Sequence, residues 1–132
     1  SKENMDLFTN NPVLGHITTF GGNAVCCAAS YATLKEIRDN KLYTRAKEIE
    51  KVVLENLKHP KIKEIRSYGA LIAVEFGDTD LNMKIISNCI ELGVITDWFL
   101  FCSTAMRIAP PLIITDEELI RCCKIILQAI EM

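Results

Sequence analysis

The sequence lacks most of the features that mark membrane, secreted and nucleic-acid-binding proteins. No apolar run approaches the roughly 18–20 residues that a membrane-spanning helix needs. The start is polar and has no apolar core of the kind a signal peptide carries. Charge of one sign is also missing: 15 Lys and Arg stand against 17 Asp and Glu, a net charge of −2. With no basic block, nucleic acid is not an expected partner, and no membrane association is expected either. There is no C-x-x-C spacing, no low-complexity tract and no internal repeat. The first residue is Ser rather than Met, which agrees with a fragment, a processed product or a tag scar.

What is present suits a globular domain. The 132 residues are 49% hydrophobic and 24% charged, enough for one domain with a real core. Six cysteines stand at positions 26, 27, 89, 102, 122 and 123. Four of them form adjacent pairs within apparent helices, where neighbouring side chains point about 100° apart and cannot converge on a metal. Reduced core cysteines behaving as small hydrophobes are therefore expected, with no metal site, in a reducing, cytoplasmic compartment.

Periodicity orders the elements. A short polar helix or turn over 2–8 is expected to end at Asn10-Asn11-Pro12. A long helix over 23–40 opens on Ala, Val, Cys and Ser, small residues that predict close packing on more than one side. A second helix over 42–57 carries Leu42, Ala46, Ile49, Val53 and Leu57 on one stripe, and His59 beyond it reads as a surface residue. Two strands follow over 62–68 and 70–76, the second almost continuously apolar and so expected at the centre of a sheet. An amphipathic helix over 80–92 ends at Gly93, a C-cap glycine.

A third strand is predicted over 94–101. Its Trp98-Phe99-Leu100-Phe101 cluster reads as packing in a core or a domain interface. A fourth strand over 105–109 places Arg107 on the face opposite Met106 and Ile108. Thr115 and Glu118 form a capping box ahead of a last helix over 116–131. The fold class expected is α+β: a small, mostly antiparallel sheet of about four strands with helices on one face.

Two places can carry chemistry. The stretch His16-Ile17-Thr18-Thr19-Phe20-Gly21-Gly22-Asn23 puts two hydroxyls and two glycines before a helix whose N-cap is Asn23. A helix N-terminus flanked by hydroxyls is suitable for a phosphate; the plainer alternative is a loop that caps a helix and binds nothing. Arg107 offers a planar fork that matches a carboxylate; the plainer alternative is an Arg paired with a buried Glu.

The segment at 16–23 resembles the Thr-Phe-Gly-Gly-Asn motif, with a histidine ahead of the threonine, of the class III aminotransferases, pyridoxal-phosphate enzymes that include the acetylornithine and ornithine aminotransferases. The resemblance continues through Ala24-Val25-Cys26-Cys27-Ala28-Ala29 and Ile65-Arg66-Ser67-Tyr68-Gly69-Ala70-Leu71-Ile72-Ala73-Val74-Glu75. It returns at Gly93-Val94-Ile95 and at Met106-Arg107-Ile108-Ala109-Pro110-Pro111-Leu112. These blocks keep the family's order and spacing and cover nearly the whole chain.

The resemblance implies the C-terminal third of such an enzyme. Residues 1–22 would be a connecting segment and cofactor-phosphate loop from the large domain, and 23–132 the C-terminal small domain of the fold type I architecture with the helix that leads into it. Thr19 aligns with the threonine that reaches the pyridoxal 5'-phosphate of the other subunit of a homodimer, with Thr18 beside it at a less constrained position. Arg107 would hold the substrate carboxylate, and His16 would make a structural hydrogen bond. No catalytic residue is expected in this chain: the Schiff-base lysine would lie upstream of Ser1, since Lys2 is too close to the motif. The implied reaction moves an amino group from an amino acid of the acetylornithine or ornithine type to a 2-oxo acid such as 2-oxoglutarate. The partners implied are those two small molecules, the large domain and a second subunit, and the fragment alone would be inactive and would not retain its cofactor. The Trp98–Phe101 cluster departs from the more polar or proline-containing sequence of many members. The rival reading, from a different class, is a stand-alone α+β module that binds a small ligand or a partner protein.

Overall fold

The computed structural model describes residues 1–8 and 18–132, so His16 and the Asn10-Asn11-Pro12 stop lie outside the described residues. The chain forms two compact units, Ser1–Asp39 and Asn40–Met132.

The first unit contains α1 (Lys2–Asp6) and α2 (Ala24–Asp39). The Ser1 side chain caps α1. Asn23 caps α2: its side-chain oxygen accepts from the backbone N–H groups of Val25 at 3.0 Å and Cys26 at 3.2 Å. None of the residues of α2 is buried within this chain, so it is not a central core helix of the described fold. Cys26 and Cys27 are accordingly exposed rather than core residues, whereas Cys89 and Cys123 are buried as expected. The first unit offers only the five-residue α1 as another described element, too little apolar surface to cover a 16-residue helix.

The second unit is the α+β layer. Its elements are α3 (Arg45–Asn56), β1 (Glu64–Tyr68), β2 (Leu71–Glu75), α4 (Thr79–Glu91), β3 (Asp97–Phe99), β4 (Cys102–Ile108) and α5 (Asp116–Glu131). The sheet order is β1-β2-β4-β3 and every pairing is antiparallel. The apolar β2 is an inner strand, as its composition predicts. Strand alternation sends Ile72, Val74 and Met106 to one face, where they join Ile49 and Val53 of α3, Ile85 and Cys89 of α4, and Leu119, Cys123, Ile126 and Ile130 of α5 in one core.

Local chemistry explains the helix ends. Thr115 and Glu118 make the reciprocal capping box. After α4, Gly93 takes φ +91°, the Val94 N–H reaches the Cys89 carbonyl at 2.8 Å, and the Gly93 N–H reaches Ile90 at 3.0 Å. That is the Schellman pattern, and the left-handed conformation it needs is the reason for glycine there. The helix expected over 42–57 instead begins as a 3₁₀ turn, Leu42–Thr44, with Lys41 at φ +52°. The Thr44 hydroxyl bonds back to the Lys41 carbonyl at 2.9 Å and so does not cap α3.

His59 also differs from expectation. Its side chain is mostly covered and its Nε2 lies 2.5 Å from Glu131 Oε1, joining the loop after α3 to the end of α5. A neighbouring tie is Lys61 Nζ, which donates to the Ile130 carbonyl at 2.7 Å. Two buried amides that the hydrophobic pattern conceals make similar links: Asn88 donates to the Ala129 carbonyl at 3.0 Å and Asn82 to the Ser103 carbonyl at 2.8 Å.

Candidate functional site

The face of the sheet away from the helices is polar, and strand register builds it. Arg66 pairs with Ala73, Ala73 with Arg107, and Arg107 with Asp97. Directly paired residues share a face, so one row crosses all four strands as Arg66–Ala73–Arg107–Asp97. The small Ala73 separates the two guanidinium groups. Arg107 is half-exposed and points away from the buried Met106, as alternation predicts.

The Arg107 partner is neither a buried Glu nor an absent one. Its Nη2 donates to Asp97 Oδ2 at 2.5 Å, and both side chains are half-exposed. The Thr96 hydroxyl donates to the Arg107 carbonyl at 2.6 Å. Arg107 stands between two shallow cavities. One, of about 410 Å³, is lined by Arg66, Ala73, Phe99, Leu100, Phe101, Cys102 and Arg107. The other is lined by Leu71, Ile95, Thr96, Asp97, Arg107 and Ala109.

The aromatic cluster is therefore not core. Trp98 is 41% exposed, Leu100 79% and Phe101 97%, and Phe99, Leu100 and Phe101 of the β3–β4 hairpin line the cavity beside Arg107. A register shift between Trp98 and Phe99 turns the tip.

Arg66 is held by carboxylates on both sides, Glu64 at 2.6 Å and Glu75 at 2.9 Å. Glu75 and, second, Glu64 raise its pKa above the usual arginine value. Glu75 is mostly covered, and its pKa is lowered to about 2. The causes are a hydrogen bond from Thr104 first, then Arg66, the Gly77 N–H and the Cys102 thiol. Because the folded value lies below the unfolded one, Glu75 contributes stability that is complete above about pH 4.5 and is lost as pH falls towards 2. Glu75→Gln should cost about 2 kcal/mol near neutral pH, the scale of hydrogen bonds to a charged group. The urea midpoints of variant and parent should then converge on acidification, and a gap that stays constant with pH would overturn this assignment.

The second place lies in the first unit. The Gly21 N–H bonds to the Thr18 carbonyl at 3.2 Å and the Asn23 N–H to the Phe20 carbonyl at 3.1 Å. A Cβ on Gly21 would stand 2.1 Å from the Thr18 hydroxyl oxygen, so this glycine makes room for the Thr18 side chain, and Gly22 follows at φ +75°. Thr18 and Thr19 are exposed on this turn. Because Asn23 already occupies the Val25 and Cys26 N–H groups, the helix end has given two of its donors to its own cap. No Lys or Arg lies within 18–26. The donor set fits one or two hydroxyl contacts to a phosphate whose charge is balanced elsewhere, not a complete phosphate site.

The pairing of Asp97 with Arg107, and the grouping of Glu75 and Cys102 around Arg66, are not visible in the sequence. Their one signal is strand alternation around Arg107, which gives a face but not a partner.

Comparison with known proteins matches the chain to one family. The family model described as aminotransferase class-III matches residues 2–130. Ornithine aminotransferase 2 of Staphylococcus aureus is 42% identical over 125 residues, covering 89% of this chain and 29% of the relative. Acetylornithine aminotransferase of Haemophilus ducreyi is 35% identical over 119 residues, covering 87% and 28%. The solved structure of the ornithine aminotransferase from Toxoplasma gondii, described with partial occupancy of pyridoxal phosphate at its active site, superposes with a TM-score of 0.71 at 34% identity, covering 96% of this chain and 30% of that one. The chain thus spans less than a third of the length of these relatives. No described helix is long and apolar enough to cross a membrane. On the match over residues 2–130 and the shared α+β fold, this chain belongs to the class-III aminotransferases.

Proposed function

We propose that the chain is the C-terminal part of a pyridoxal-phosphate-dependent aminotransferase that passes an amino group from an ornithine- or acetylornithine-type donor to a 2-oxo acid such as 2-oxoglutarate. The observation that carries this reading is Arg107, half-exposed on the polar face of the sheet inside the Arg-x-x-Pro-Pro segment and bordering an open cavity. A guanidinium in that position receives the carboxylate that every amino-acid or 2-oxo-acid substrate brings, and so fixes the direction in which the amine is presented. The cofactor, when bound, supplies the electron sink, while protein groups bind and orient.

On this reading residues 1–22 connect from a large domain and carry the phosphate loop, and residues 23–132 form the small domain. The Schiff-base lysine belongs to a part of the enzyme that this chain does not include. Thr19, with Thr18 beside it, contributes hydroxyl contacts to the cofactor phosphate of a second subunit in a homodimer. By itself the chain neither retains the cofactor nor catalyses.

The test is a coupled assay on the full-length enzyme with pyridoxal phosphate, 2-oxoglutarate and either ornithine or acetylornithine. Glutamate formation supports the reading, and no turnover with either donor overturns the substrate assignment. Thr19→Val removes one hydroxyl at constant shape and should weaken cofactor retention about tenfold, the scale of one hydrogen bond to a charged group. Equilibrium dialysis of the holoenzyme reads this directly, and unchanged retention would remove Thr19 from the phosphate site.

A further inference from the structure

Asp97 stands opposite Arg107 in the β3–β4 register and accepts from its Nη2 at 2.5 Å. The preceding residue, Thr96, holds the Arg107 carbonyl at 2.6 Å. Asp97 of the edge strand β3 and Thr96 just before it therefore grip the side-chain tip and the main chain of residue 107. Among the described residues Asp97 is the only hydrogen-bond partner of the Arg107 side chain.

The grip has a direction. Asp97 lines the cavity shared with Leu71, Ile95 and Ala109, and it is absent from the lining of the cavity walled by Phe99, Leu100 and Phe101. One terminal nitrogen of the guanidinium is thus committed to the Asp97 side. Such a pair does little for folding: both side chains are about half-exposed, at 44% and 45%, and an ion pair at that exposure contributes weakly to stability. Its consequence is conformational. An unheld arginine spreads over many rotamers and must be ordered when a ligand binds, whereas a held one is already ordered.

Resting on the reading of Arg107 as the carboxylate ligand, we propose that Asp97 is a positioning residue that aims the Arg107 guanidinium. The substrate carboxylate then meets the unbonded edge from the cavity walled by Phe99, Leu100 and Phe101.

The test uses the full-length holoenzyme with glutamate as donor and compares Asp97→Ala with Asp97→Asn. Asp97→Ala should raise the glutamate KM about tenfold, the scale of ordering one long side chain, with a smaller change in kcat. Asp97→Asn keeps an oxygen that accepts from Nη2 and should recover most of that loss. Both variants should unfold within a few degrees of the parent, so a folding defect is separable from mispositioning. An unchanged KM in Asp97→Ala overturns the proposal. So does a lowered KM, which would make Asp97 a competitor of the substrate, and so do equal losses in both variants, which would assign the effect to charge alone. Arg107→Ala in the same assay separates the two levels. If it leaves KM unchanged, the carboxylate reading itself fails; if it raises KM while both Asp97 variants behave as the parent, only the positioning role fails.

Discussion

Arg107→Ala in the full-length enzyme should raise the KM for a carboxylate-bearing donor about a hundredfold or more while leaving the protein folded. The magnitude follows from the chemistry of the fork. Hydrogen bonds between a guanidinium and a carboxylate contribute about 1.5–3 kcal/mol each when both groups leave bulk water, and about 2.8 kcal/mol is a hundredfold in affinity. The expectation of a folded variant follows from the position of the side chain. Arg107 is half-exposed on the polar face, its main chain is held by strand pairing and by Thr96, and the Asp97 it leaves behind stays hydrated. Arg107→Lys sharpens the test, because it keeps the charge and loses the planar fork. An intermediate KM is expected for it. Steady-state kinetics with glutamate, alongside far-UV circular dichroism, decides the matter: a KM within twofold of the parent for Arg107→Ala would remove Arg107 from the site.

The second large effect concerns stability and contrasts two phenylalanines. Phe76, just after β2, is 1% exposed in the core, and its N–H bonds to the Thr104 carbonyl at 3.1 Å. Phe76→Ala removes buried surface and leaves a cavity, which costs about 3–5 kcal/mol. Set against a typical domain stability of about 5–15 kcal/mol, that loss takes much of what holds the second unit together. Phe101 is 97% exposed at the hairpin tip, and Phe101→Ala should shift stability by no more than about 0.5 kcal/mol. Urea denaturation of the 132-residue chain followed by circular dichroism compares the two. Similar small shifts for both would mean that Phe76 is not a core residue, and a large shift for Phe101 would mean that the hairpin tip is packed.

The contrast also shows where sequence patterns mislead. Trp98-Phe99-Leu100-Phe101 reads as packing in a core or a domain interface; the register shift between Trp98 and Phe99 makes it an exposed tip, which rules out the core of this unit. Cys26 and Cys27 have the composition of a core helix and lie on one that buries none of its residues. From its neighbours in sequence His59 reads as a surface residue, but its side chain is mostly covered and meets Glu131 at the end of α5, 72 residues away. In each case, burial depends on what another part of the chain brings to that side chain.

Signals confined to one turn were legible. The Thr115–Glu118 capping box, the Gly93 C-cap, the Asn23 cap and the apolar stripe of α5 need only residues within about four positions of one another, so the sequence contains all the information that fixes them. The central place of β2 and the outward face of Arg107 follow from the two-residue period of a strand. By itself, then, the sequence determined the family, the elements, the α+β class and Arg107 and Thr19 as site candidates. The tertiary structure alone decided that Arg107 is paired with Asp97, that Arg66 shares its row and that an aromatic tip walls the adjacent cavity. Those relations are set by the register of antiparallel strands, and a slip of one residue would send every one of these side chains to the opposite face.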